Sequence, residues 1–459
     1  MPQIDPAILR AYDIRGLVDK GLTVETVTAL GQAIGSAAAE AGQSAIVVGR
    51  DGRESSPRLA AALREGLMQA GREVIDIGEV PTPLMYFATY HLGTGAGVAV
   101  TGSHNPADYN GLKTIINGAP FWGDDIQALG RRIAEGRLVS GNGSERSIDI
   151  LPAYRERILN DVSLKRPLKV VVDCGNGVPG AVAPDLLEAL GAEVVPLYCE
   201  VDGRFPNHHP DPTVPENLSD LIASVRAEGA DLGLAFDGDG DRLGVVDENG
   251  HIIWADRQMM LYARAVLAET PGASIVFDIK CSGHLASVIE EAGGKPVMWK
   301  TGHSLIKEKL RETGAPLAGE MSGHLFFNDR WYGFDDATYA AARLLEIIAA
   351  DPRAASEIFA ELPEPVSTPE IRMDLAEGEP HRLIEALMEQ AEDFADATVT
   401  TIDGLRVDFA DGWGLVRASN TQPCIVMRFE GIDDPALQAI RKRFDALILG
   451  AAKIAGIPI

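Results

Sequence analysis

The sequence predicts an α/β fold built from three related units of about one hundred residues, closed by a small α+β domain. The first observation is a set of short apolar runs, each leading into a polar or glycine-containing loop: Ile46–Val48 into Gly49-Arg50-Asp51-Gly52, Val170–Val172 into Asp173-Cys174-Gly175, and Ile275–Phe277 into Asp278-Ile279-Lys280. The second is that each run is followed by a helical pattern and then by another strand-to-loop passage. These later passages are Val98–Val100 into Thr101-Gly102-Ser103-His104-Asn105-Pro106, Leu234–Phe236 into Asp237, and Leu317-Ala318 into Gly319-Glu320-Met321-Ser322-Gly323-His324. The spacing far exceeds the 20 to 50 residues of solenoid repeats, so it reads as duplication of whole domains. The third is a break in the pattern after Leu362-Pro363-Glu364-Pro365. A helical stretch, a strand pair turning at Asp411-Gly412, a strand at Ile425–Phe429 and a terminal helix from near Asp434-Pro435 follow. The expected domains are roughly 1–147, 148–250, 251–363 and 364–459. One chemically loaded loop per domain places all four at a central cleft, because ligand sites favour domain interfaces.

At 459 residues the chain is too long for one typical core, which agrees with three or four domains. The composition, 46% hydrophobic and 24% charged, is that of an ordinary soluble globular protein. With 41 basic and 67 acidic residues the net charge is −26, which argues against nucleic acid or an anionic membrane as partner. A small phosphorylated ligand would need a locally basic cleft against that field. Cys174, Cys199, Cys281 and Cys424 show no C-x-x-C spacing, so neither zinc nor a disulfide framework is expected, and free thiols are the default. The N-terminus lacks a basic and apolar leader pattern, and no run of 18 apolar residues occurs. A cytoplasmic location is expected.

The most telling segment is Asp237-Gly238-Asp239-Gly240-Asp241-Arg242, three carboxylates alternating with glycine and then a guanidinium. Carboxylates this close repel unless a cation gathers them. Alternate side chains share a face in an extended stretch, and the glycines let the backbone curl so that three oxygens converge. That is a hard all-oxygen site suited to Mg²⁺. The bland readings are a merely acidic turn and an EF-hand loop, whose twelfth position Glu248 satisfies but whose sixth requires glycine where Arg242 stands, and whose flanks should be helical where Leu232–Phe236 and Leu243–Val246 are strand-like.

Ser103 follows a buried strand in a tight polar turn that projects its hydroxyl. Turn or N-cap duty alone would explain such a serine, but His104 and Lys113 add proton-transfer and charge-stabilising groups beside a potential nucleophile. A serine beside a Mg²⁺ site suggests phosphoryl transfer, and no nucleotide-binding P-loop or kinase signature is present. Glu320, Ser322 and His324 fall at alternating positions, a spacing that can aim all three at vicinal sugar hydroxyls. Arg417-Ala418-Ser419-Asn420-Thr421 combines a guanidinium, two hydroxyls and an amide, chemistry that fits a phosphate dianion. Arg15, in Tyr12-Asp13-Ile14-Arg15-Gly16, by itself passes as a surface charge.

Together, in this order along essentially the whole chain, the five motifs resemble the α-D-phosphohexomutase family, in particular its bacterial phosphomannomutase/phosphoglucomutase branch. The resemblance implies three related mixed-sheet α/β domains and a fourth helix-on-sheet domain around a cleft. It implies that Ser103 carries a phosphate, that this group with Asp237, Asp239 and Asp241 binds Mg²⁺, and that the enzyme interconverts hexose 1- and 6-phosphates through a 1,6-bisphosphate. By the same resemblance Arg15 and Lys113 help move the hydroxyl proton, His104 contacts the phosphoryl site and Arg242 offsets its charge. Glu320 and Ser322 hold the sugar O3 and O4 hydroxyls; Arg417, Ser419, Asn420 and Thr421 hold the non-reacting phosphate; Tyr12, Lys280, His303 and His324 are further substrate contacts. Glucose 1,6-bisphosphate is the implied activator, and a monomer or weak dimer the implied assembly. Glucose and mannose differ only at C2, so a site reading O3 and O4 accepts both. Phosphoglucosamine mutases also resemble the chain, commonly with Gln at the Met321 position. A Mg²⁺-dependent phosphatase with Asp237 as nucleophile, or a sugar-phosphate sensor on the same fold, are the competing readings.

Overall fold

The computed structural model describes residues 4–389, 394, 397–420 and 422–459, which among them form four sheets. The first runs in spatial order through strands 14–17, 109–116, 97–100, 45–50, 73–79 and 144–147. The second runs through 252–253, 243–247, 232–236, 169–173 and 193–197, and the third through 295–299, 274–278, 317–319 and 325–327.

One wiring recurs in all three. The opening apolar strand lies parallel to the later one: 45–50 beside 97–100, 169–173 beside 232–236, 274–278 beside 317–319. The later strand then turns straight back into an antiparallel neighbour, 109–116, 243–247 or 325–327. Each loaded loop is therefore a turn at the C-terminal end of a parallel strand, where open α/β sheets bind ligands. The mixed sheets follow from this reversal, as the expected fold class requires.

The fourth sheet is antiparallel throughout, with strands 366–367, 424–431, 412–418, 405–409 and 398–400 in order and 371–374 also on 424–431. Helices Glu379–Met388 and Asp434–Ala455 share its core through Leu383, Leu387, Ile440 and Phe444. The hairpin turns one residue earlier than the sequence suggests: Phe409 pairs with Gly412, leaving Ala410-Asp411 as the turn. Gly412 instead serves the strand, where a Cβ would meet the Glu430 carbonyl oxygen at 2.1 Å.

Each of the three α/β units keeps an apolar cluster of its own, and all three also share one. One apolar cluster runs from Val47 and Phe87 through Val172 and Phe236 to Phe277 and Leu345. Sharing a core fixes the units against one another. Tyr154 shows how: its ring is buried in that cluster, and its hydroxyl donates to the Asp336 carboxylate at 2.9 Å. Asp336 also accepts from the Tyr339 amide at 2.9 Å, capping helix Ala337–Ala350. Burial pushes the Asp336 carboxyl up from 3.8 to about 7. Between those values the folded state binds the extra proton, so this group subtracts stability as pH rises from about 4 to about 7, in total on the order of 4 kcal/mol. Asp336→Asn, which keeps an acceptor for the Tyr339 amide, is expected to gain stability relative to wild type across that window in urea-unfolding series. A difference between the two that is flat with pH would refute it.

Candidate active site

A cleft of about 970 Å³ opens among the four domains, and the predicted residues Tyr12, Arg15, Ser103, His104, Lys113, Arg242, Lys280, His303, Glu320, Ser322, His324, Arg417, Ser419 and Asn420 all line it. Asp237, Asp239 and Asp241 are fully buried just behind the wall. Thr421 lies outside the described residues.

The serine loop is held by groups that no local pattern announces. Ser103 has φ +50°, the left-handed region that non-glycine residues enter at a cost of about 1–2 kcal/mol. Arg53, buried to 1% exposure, donates to the carbonyls of Ser103 and Asn105 at 2.7 Å, of Pro106 at 2.6 Å and of Tyr109 at 3.2 Å. Asp51 ties that guanidinium at 3.1 Å while accepting from the Thr101 hydroxyl at 2.9 Å and the Gly102 amide at 3.1 Å. The Ser103 amide in turn donates to Thr101 Oγ1 at 2.9 Å. A strained turn persists only where its surroundings determine it this fully.

Register brings the cations to it. Arg15 pairs with Gly111 and Lys113 with Ala99, so Arg15, Lys113 and the serine loop stand on three adjacent strands. Arg15 is thus no surface charge: it sits on an edge strand, paired with Asp13 and Asn105. The Ser103 hydroxyl lies 3.1 Å from Asp237 Oδ2 and 3.1 Å from His104 Nδ1. Burial, and then Arg242, Arg15 and Lys113, hold the His104 imidazole well below its usual pKa, so it is neutral.

The aspartate loop is a turn between two antiparallel strands rather than an extended stretch, and its two glycines do different work. Gly240 has φ +77°, while a Cβ on Gly238 would meet the Ser103 carbonyl oxygen at 2.4 Å. Asp237 Oδ1 accepts from the amides of Gly240, Asp241 and Arg242 at 3.0, 3.0 and 3.2 Å. Asp239 Oδ1 and Asp241 Oδ1 are buried with no hydrogen-bond partner, and ligand atoms of all three carboxylates lie within 4.8 Å of one another. Orphaned oxygens converging beside a serine hydroxyl fit a small hard cation such as Mg²⁺. Burial and the neighbouring Asp241 and Asp239 push the Asp237 carboxyl well above its ordinary range. Burial would raise Asp239 too, but Lys113, 2.7 Å away, holds it below. Lys113 also reaches Asp241 at 2.5 Å; against its own burial, these two carboxylates keep it protonated.

Sequence reasoning missed a second layer at this end. His324 Nε2 accepts from Arg242 Nε at 3.0 Å, and its Nδ1 faces Asp335 at 3.0 Å and Asp241 at 3.5 Å. Lys307 anchors Asp335 at 2.9 Å, and the His303 ring stacks on His324 at 5.3 Å. His324 therefore belongs to the metal end more than its spacing from Glu320 and Ser322 suggests. Glu320, whose carboxyl burial raises, accepts from the Gly302 amide at 2.6 Å. Ser322 lines the cleft beside it.

The far end is the expected basic pocket. Arg417 Nε donates to Asp403 at 3.0 Å, and the Thr301 amide donates to the same carboxylate oxygen at 3.0 Å. Tyr12 donates to the Thr301 carbonyl at 2.8 Å and accepts from the Asn420 amide, joining the first, third and fourth domains. Lys280 pairs with Glu370 at 3.0 Å, and Arg372 sits 3.1 Å from the same carboxylate. Asp403 and Glu370, neither singled out in the sequence, orient the cations that a phosphate would meet. Among the described residues, no helix is long and apolar enough to cross a membrane.

Comparison with known proteins agrees with this architecture in every quarter of the chain. Models of phosphoglucomutase/phosphomannomutase alpha/beta/alpha domains I, II and III match residues 7–139, 152–250 and 254–366, and the model of the C-terminal domain matches 370–447. A phosphomannomutase/phosphoglucomutase of Pseudomonas aeruginosa is 54% identical over 443 residues, 96% of each chain. A phosphoglucomutase of Neisseria gonorrhoeae is 50% identical over 451 residues, 98% of each chain. The crystal structure of a phosphoglucomutase/phosphomannomutase family protein from Burkholderia thailandensis superposes with TM-score 0.94 at 51% identity, covering 99% of this chain and 100% of that one. With all four domains matched in order and their loops meeting at one cleft, the chain belongs to the phosphoglucomutase/phosphomannomutase family and is a hexose-phosphate mutase.

Proposed function

We propose that the enzyme moves a phosphoryl group between C1 and C6 of glucose and mannose phosphates by way of a phosphate carried on Ser103. The observation that carries this reading is the Ser103 hydroxyl set 3.1 Å from both Asp237 and His104, at one end of a cleft whose other end is cationic. A hexose 1- or 6-phosphate would put its free hydroxyl at the serine and its phosphate against Arg417, Ser419, Asn420 and Thr421, with Tyr12 and Lys280 alongside. Glu320 and Ser322 would grip the O3 and O4 hydroxyls, which present the same pair in either orientation of the ring. The sugar hydroxyl attacks phosphorus, a P–O bond to the sugar forms as the P–O bond to Ser103 breaks, and the hydroxyl proton ends on the departing Ser103 oxygen, its loss eased by the positive charges of Arg15 and Lys113. His104, 3.1 Å from the serine oxygen, contacts the phosphoryl group. Arg242, held by His324, and His303 behind it border the oxygens that gain charge during transfer. Asp237, Asp239 and Asp241 would hold Mg²⁺, which supplies further charge neutralisation at the transferred group when bound. The 1,6-bisphosphate then reverses in the cleft and returns its other phosphate to Ser103. Glucose 1,6-bisphosphate would accordingly activate unphosphorylated enzyme. The setting we assign is cytoplasmic, as a monomer or weak dimer.

Peptide mass mapping of gently purified protein, before and after incubation with glucose 1,6-bisphosphate, tests the reading. A phosphate-sized increment on the Ser103 peptide is expected. Its absence after incubation, or its appearance on Asp237, would overturn it.

A further inference from the structure

The four cysteines look unrelated in sequence, and all four are free thiols. Two of them nevertheless meet. Strands 169–173 and 193–197 run parallel with Asp173 opposite Leu197, and just past their ends the sulfur atoms of Cys174 and Cys199 lie 3.5 Å apart. Cys174 is fully buried, whereas Cys199 is partly open to solvent. The pair is anchored on both sides: the Cys174 amide donates to the Leu197 carbonyl at 3.1 Å, and the Asn176 amide to the Tyr198 carbonyl at 2.8 Å.

The turn that leaves Cys174 is the backing of the aspartate loop. Gly175 and Asn176 both take left-handed backbone, φ +48° and +60°. Gly177 then comes so close to the metal loop that a Cβ would meet Gly238 Cα and its carbonyl oxygen at 2.9 Å. The Val178 amide donates to that same Gly238 carbonyl at 3.2 Å, and Pro179 packs beneath Gly240. No slack separates the cysteine pair from the residues between Asp237 and Asp241, and close-packed interiors transmit small shifts.

We propose that Cys174 and Cys199 form a thiol–disulfide couple, oxidised by peroxides, whose closure displaces the loop carrying Asp237, Asp239 and Asp241 and switches the mutase off. Cys199 is the attacking sulfur: it is the accessible one, and the Cys174 thiol beside it holds it below the usual thiol range, while burial pushes Cys174 up. The Cys199 thiolate attacks one peroxide oxygen, an S–O bond forms as the O–O bond breaks, and hydroxide or alkoxide leaves, so that the peroxide is reduced by two electrons. Cys174 then attacks the sulfenic sulfur of Cys199; the S–S bond forms, the S–O bond breaks, and water leaves with the Cys174 proton. The sulfurs must close from 3.5 Å to about 2 Å, and the Cys174 turn has to follow.

The test treats the full-length enzyme with hydrogen peroxide, quenches with an alkylating reagent and combines peptide mapping with a rate assay on a hexose 1-phosphate. A linked Cys174–Cys199 peptide, two hydrogens lighter than its reduced parts, is expected together with at least a tenfold loss of rate that dithiothreitol restores. Cys199→Ser and Cys199→Ala should keep their starting activity through the same treatment, and Cys424→Ser should behave as wild type. The link is read by mass whether or not the metal assignment holds, so the two fail separately. Finding no link, a link at unchanged rate, or Cys199 variants inactivated as fast as wild type would overturn the proposal.

Discussion

Ser103→Ala is expected to lower turnover by roughly three to six powers of ten while the protein stays folded, because it deletes the atom that carries the phosphate in the proposed mechanism. Ser103 already carries a Cβ at φ +50°, so alanine inherits the same strain and adds none. Arg53 and Asp51 grip the loop through the backbone and Thr101, and none of those bonds uses the serine hydroxyl. Ser103→Gly is a second probe, removing the hydroxyl while relieving the strained backbone, and should be as inactive yet equally or more stable. Steady-state rates with glucose 1-phosphate, alongside thermal unfolding, decide the matter. Turnover within tenfold of wild type in either variant would mean that another group carries the phosphate.

Much of this site was legible because its chemistry is local. The strand-to-loop passages at 97–106, 232–242 and 317–324 show as apolar runs ending in polar turns, and the structure places each as a parallel strand reversing into an antiparallel one. What the sequence could not show are the residues that act at long range. Arg53 lies in an ordinary polar stretch, yet its guanidinium gathers four carbonyls between Ser103 and Tyr109. Asp335, Lys307, Asp403 and Glu370 orient His324, Arg417 and Lys280 from other elements, so neither period nor turn chemistry marks them. Arg15 illustrates the same limit from the opposite side: its meaning comes from an edge-strand register with Gly111, which a single sequence does not display. The shared core is likewise invisible, since apolar periodicity says that a face is buried and not which unit buries it.

Gly238→Ala should separate two loops whose contact the proposed transfer requires. Nothing about the glycine's own backbone demands it: unlike Gly240, with φ +77°, Gly238 is not in the left-handed region. The demand comes from across the gap, where an added methyl would stand 2.4 Å from the Ser103 carbonyl oxygen and 3.3 Å from its carbonyl carbon. Backbone cannot swing aside as a flexible side-chain end would, and Arg53 fixes that carbonyl from behind at 2.7 Å. The aspartate loop is therefore the partner that yields, carrying Asp237 away from the Ser103 hydroxyl. A displacement of about 1 Å at a reacting centre lowers rate by about a hundredfold, whereas overpacking of this kind lowers stability by only about 1–3 kcal/mol. The expected signature is a turnover reduced by about two powers of ten, a raised Mg²⁺ requirement and a modest fall in unfolding midpoint. Gly177→Ala, pressing on Gly238 from its other side at 2.9 Å, should push the same loop and reproduce the pattern more weakly. A Gly238→Ala enzyme with normal turnover and normal Mg²⁺ dependence would show that the two loops have room to part, and that the approach of Asp237 to Ser103 is not what sets the rate.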